Sequence, residues 1–150
     1  MKIGISEPFP LLEYRLKDLY ERHKLPQPPK AAKKTDVFFD LILSDRNYFD
    51  SQSLPQASLY LISGEILPES LPEEGLVITG GMNSGDAVTL SSIGEDRAML
   101  CLQREIFLGN AFIGPFERAV PYDRNYNLYK NLAAGFALAL TLFFREEENQ

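Results

Sequence analysis

The chain has 150 residues, 45% hydrophobic and 24% charged, which is ordinary globular usage and excludes wholesale disorder. A net charge of -6 and a pI near 4.8 argue against a nucleic-acid partner, which needs a clustered basic face. One cysteine, Cys101, and one histidine, His23, exclude an internal disulfide and leave a zinc site short of its usual ligands.

In chain order, the first residues carry no long apolar run, so no signal peptide is expected. Lys2 to Ser6 reads as a short strand, stopped by Glu7-Pro8-Phe9-Pro10 because proline lacks a donor and fixes φ. From Leu11 the period becomes helical: Leu12, Leu16, Leu19, Tyr20 and His23 share a face, with Glu13, Arg15, Lys17, Asp18, Glu21 and Arg22 on the others. Glu13–Lys17 and Asp18–Arg22 are i,i+4 pairs in the favourable order. His23 is expected at this helix's end, where the dipole favours an imidazolium, as a capping or surface residue.

Residues 25–35 form a Pro- and Lys-rich connector, extended and exposed, whose lysines read as solvated. Val37 to Leu43 is too uniformly apolar for a one-sided sheet and reads as a buried strand. Ser44-Asp45-Arg46-Asn47 ends it with turn chemistry. Ser58 to Ser63 is the next strand, stopped at Gly64, and Leu76 to Thr79 the one after. The loop Gly80-Gly81-Met82-Asn83-Ser84-Gly85-Asp86 could present backbone donors to an anion, through Asn83 and Ser84. It lacks the Lys-Ser/Thr ending of a P-loop and the spacing of a dinucleotide fingerprint, so a turn between strands is the preferred reading.

Asp86 to Ile93 alternates at period two and Arg97 to Arg104 follows after the turn Gly94-Glu95-Asp96, an antiparallel pair. A further strand is placed near Ala111-Phe112-Ile113, and Val120-Pro121 is read as the lead into the last helix. Cys101, between Leu100 and Leu102, is expected to be a buried structural thiol. The last helix runs from about Leu128 to Phe144 and is apolar almost all round from Leu132 onward, so it must be covered on most faces. Its small residues Ala133, Ala134, Gly135, Ala137 and Ala139 would let a sheet come close. Its apolar part is shorter than the ~20 residues of a membrane span, so no membrane role is expected. Arg145 to Gln150 is a polar tail whose three glutamates oppose the dipole, and it is expected to unwind.

Together these elements predict one α/β domain over residues 1–150. It is Rossmann-like and three-layered, with a mixed sheet, an antiparallel portion around 86–104 and a buried C-terminal helix. Carboxylates past strand ends gather at α/β sites, so Asp45, Glu65 and Asp86 are metal candidates, though turn-forming roles are the preferred alternative. Arg124, Asn125, Asn127 and Lys130 ring the start of the last helix, a natural anion site, with helix capping as the alternative.

The order of Leu59–Ser63, Leu76–Gly80, Asp86-Ala87-Val88-Thr89-Leu90-Ser91-Ser92-Ile93 and Asn127-Leu128-Tyr129-Lys130-Asn131-Leu132-Ala133-Ala134 resembles the later part of the ATP-binding central domain of Mur ligases. Those enzymes add amino acids to peptidoglycan precursors. In that family a strand ending in Thr/Ser-x-Gly precedes a strand carrying Ala-Asp-Val-x-Ala-x-x-Ile, and Gly-x-His-Asn-x-x-Asn-Ala-Leu-Ala-Ala opens a helix. The resemblance spans about residues 59–144. It implies a bacterial-type fold with an adenine-proximal Asn pair, of which Asn127 matches the first member while Lys130 replaces the second. The family's Gly-Lys-Thr phosphate loop has no counterpart here, so positioning and charge neutralisation of a phosphoryl group are missing. The expectation is a cytoplasmic, non-catalytic binding or assembly protein with no cofactor, partnered by itself or another protein. The alternative is a small nucleotide- or anion-binding enzyme using the strand ends and the 124–130 segment.

Overall fold

A computed structural model describes residues 2–5, 21–24, 39–44, 56–65 and 75–148. The chain is α/β, built on an eight-stranded mixed sheet. Its strands are β1 (Lys2–Ile5), β2 (Glu21–Lys24), β3 (Phe39–Leu43), β4 (Ala57–Ser63), β5 (Leu76–Gly80), β6 (Val88–Ser91), β7 (Arg97–Leu102) and β10 (Phe116–Pro121). The spatial order is β10-β7-β6-β5-β4-β3-β1-β2. From β2 to β6 the neighbours run parallel, and β7 and β10 are added antiparallel. A separate hairpin pairs β8 (Ile106–Leu108) with β9 (Ala111–Ile113), and α1 (Leu128–Glu148) closes the chain.

The middle of the sheet and its antiparallel side follow different burial rules. In β4, Leu59 and Leu61 join the cluster beneath α1, while Tyr60 and Ile62 join Phe39, Ile42 and Ala57 in a second cluster. Alternate residues of one strand point to opposite faces, so this strand is buried on both, as its unbroken apolar sequence requires. In β7 only Ala98, Leu100 and Leu102 are buried. Cys101 therefore faces away from the core and is half-exposed, with its Sγ 3.7 Å from Ser91 Oγ. The expectation of a buried thiol is corrected. Period two forces Cys101 outward once both its neighbours point in.

α1 lies over β5, β6, β7 and β10. Leu132, Ala133, Ala134, Phe136, Ala137, Ala139 and Leu140 are buried there. A Cβ on Gly135 would stand 3.0 Å from Val120 Cγ2, so the helix backbone approaches β10 as closely as a side-chain-free position permits. The helix continues through Glu148, against the expected unwinding of residues 145–148. Arg and Glu are strong helix formers, and the opposing dipole term is only a few tenths of a kcal/mol, falling off within one turn.

Three further strands were not expected from the sequence. Glu21–Lys24 is β2, parallel to β1, with His23 beside Gly4. His23 is thus in a strand and not at a helix end, because pairing with β1 overrides a weak helical preference. Residues 11–20 and the connector 25–35 lie outside the described residues. Ile106–Leu108 is β8, and its mate β9 is the strand placed at Ala111–Ile113. Phe116–Pro121 is β10, which reads poorly because Glu117 and Arg118 interrupt its apolar pattern and Pro121 closes it. Tyr122 N donates to Asp96 O just past the Pro121–Arg97 pair. Even-numbered residues of β10 therefore bond inward, and the missing N–H of Pro121 faces the open edge, where a proline does no harm and blunts edge pairing.

Candidate functional site

The carboxyl ends of β3, β4 and β5, the loop 81–87 and the approach to α1 meet along one rim, the usual position of an α/β site. Val88 pairs with Gly80, so β6 starts where β5 ends and carries the sheet past that rim. The loop between them must leave and return at the same level. Asp86 holds it shut. Its side chain is 5% exposed, Oδ1 accepts from Thr79 Oγ1 at 2.8 Å, and Oδ2 accepts from Asn83 N at 2.9 Å. Asp86 N returns a bond to Asn83 O, Ala87 N donates to Thr79 O, and Gly81 N donates to Val88 O. Gly64 and Gly81 flank the carboxylate so closely that a Cβ on either would collide with it. The backbone donors at Asn83 and Asp86 thus have partners within the loop and that of Gly81 has one at the start of β6, which favours the turn over the anion cradle. Asn83 and Ser84 are exposed at its outer side, beside Met82, which is 58% exposed.

A second polar knot holds the approach to α1. Asn127 Oδ1 accepts from Lys130 N at 2.8 Å and its carbonyl accepts from Asn131 N, so Asn127 is the N-cap. Asp123 Oδ1 accepts from Asn125 N at 2.9 Å, an Asx turn. Asn131 is fully buried; its Nδ2 donates to the carbonyls of Asp123, Tyr126 and Asn127, and its Oδ1 accepts from Asp123 N at 2.8 Å. Two N–H bonds serve three carbonyls, so at least one is shared. Tyr129, the second residue of the helix, sets its hydroxyl 2.8 Å from both Ser44 O, just past β3, and Leu61 O, near the end of β4. The single hydroxyl proton bridges the two or alternates between them.

Of the residues singled out by sequence, Asn127 and Asp86 are engaged in building the fold, while Arg124 and Asn125 expose their side chains and Lys130 is half-buried. Glu65 is exposed and its N–H donates to Ser63 Oγ. Asp45 lies outside the described residues. Among the described residues, no group of three or more His, Cys, Asp and Glu is placed to hold a metal, and no helix is long and apolar enough to cross a membrane. Sequence reasoning missed Thr79, Tyr129 and Asn131. A signal existed for Asn131: an amide that falls at i and i+3, i+4 spacing with Ala134 and Gly135, on a helix face otherwise apolar. Nothing in the spacing of Tyr129 announces partners 85 and 68 positions away, and Thr79, seven residues from Asp86, reads only as the end of a strand.

The β8–β9 hairpin, whose β8 lies against β4, buries Ile106, Leu108 and Ile113 in the core cluster beneath α1 and turns Phe107 and Phe112 outward, 57% and 52% exposed. The two rings stand directly across the hairpin, their centroids 5.4 Å apart in an edge-to-face arrangement. Comparison with protein-family models, curated proteins and solved structures finds no match.

Proposed function

We propose that the chain is a non-catalytic module, akin to a Mur ligase central domain without its nucleotide-hydrolysis parts, that works by binding a protein partner or by assembling with itself. The observation that carries this reading is the use made of the polar groups at the rim. Asp86, Asn127, Asn131 and Tyr129 are the side chains there best suited to hold a ligand, and each is engaged with the chain's own backbone or with Thr79. A ligand-holding group needs donors or acceptors left over. The Asn131 amide has both N–H bonds and its oxygen committed inside the core, and the other three are fixed in orientation by the bonds they already make. The acidic net charge of -6 accords with a cytoplasmic setting and with a protein, rather than a nucleic acid, as partner.

The rival is a small nucleotide- or anion-binding enzyme that uses the exposed Arg124, Asn125, Asn83 and Ser84. Two measurements separate the readings: melting temperature with ATP, UMP and magnesium, and molar mass by light scattering on a sizing column. The proposal expects an unchanged melting temperature and a mass above that of the monomer, or a monomer that gains mass with a protein partner. A reproducible rise with ATP or UMP that Arg124→Ala abolishes overturns it in favour of the rival. Arg124 serves better than Asn127 for this test because removing the cap would lower stability by itself.

A further inference from the structure

We draw no further inference here: the strongest candidate, the exposed Phe107–Phe112 pair on the outer face of the β8–β9 hairpin, is an apolar knob two side chains wide, and nothing in the structure shows what covers it.

Discussion

The knot around Asp86 and the knot around Asn131 lie at the same end of the sheet and solve the same problem in opposite ways. Each fastens a non-regular segment by giving partners to polar groups at the ends of the strands and at the start of the helix. The Asp86 loop presents donors, the Thr79 hydroxyl and the Asn83 N–H, and an acceptor-only carboxylate answers them. The segment 123–127 presents three carbonyls and one N–H, and only an amide carries both donors and an acceptor in one planar group. The lesson is that two polar residues of nearly the same shape are not interchangeable when buried. What surrounds each decides whether the group must give protons, accept them or do both.

Exchanging the two chemistries is therefore the sharpest way to break the comparison. Asn131→Asp sets a carboxylate against three carbonyl oxygens inside the core, and is expected to lower unfolding free energy by about 4 kcal/mol, the scale of an uncompensated buried charge. Urea unfolding followed by circular dichroism measures it, and a loss under ~1 kcal/mol would show that the segment finds other partners. The reciprocal change, Asp86→Asn, keeps an oxygen for the Asn83 N–H and gives the Thr79 hydroxyl an N–H₂ to accept from, but turns two charge-assisted hydrogen bonds into neutral ones. A loss of about 2 kcal/mol is expected, with faster hydrogen exchange at Asn83. An unaltered exchange rate at that amide would mean the carboxylate does not close the loop.

Tyr129→Phe tests whether the helix is tied to the β3 and β4 ends by its hydroxyl or by packing alone. The expected cost is about 1 kcal/mol, and a thermal melt indistinguishable from the parent would assign the role to packing. A similar loss and the smallest one both belong to the cap. Asn127→Ala should cost about 1 kcal/mol, whereas Asn127→Asp, which retains an accepting oxygen at the helix N-terminus, should stay within a few tenths. Equal losses for both variants would contradict the assignment of Asn127 as N-cap.

Much of the sheet was legible in the sequence because its strands announce themselves. Leu41-Ile42-Leu43 and Leu59-Tyr60-Leu61-Ile62 are short, unbroken apolar runs, the pattern of strands buried on both faces, and their residues divide between two core clusters. Val88 to Ser91 and Arg97 to Leu102 alternate, and they are antiparallel neighbours with one face toward solvent. β10 escaped notice because its residues Glu117 and Arg118 and the closing Pro121 obscure the pattern of an edge strand. β2 escaped because Glu21-Arg22-His23-Lys24 has no apolar pattern, and its pairing with β1 is a tertiary event. The rim was legible as a location but not as chemistry. Asp86, Asn125 and Asn127 were picked out as polar residues beside strand ends and a helix start, and sequence offered both the ligand-holding and the fold-building reading of each.

The sequence by itself determined that this is an α/β chain with a buried last helix, since hydrophobic period and small-residue content depend only on neighbours a few positions away. It also determined that the given sequence contains no Gly-Lys-Thr motif, because such a motif is contiguous. Only the tertiary structure decided that Asp86 answers Thr79 and is walled by Gly64, that Asn131 closes the segment 123–127, and that Tyr129 reaches across 85 positions to Ser44. The physical reason is that a side chain's hydrogen-bonding duty is set by which groups the fold leaves facing it, and those groups come from strands and loops far apart along the chain.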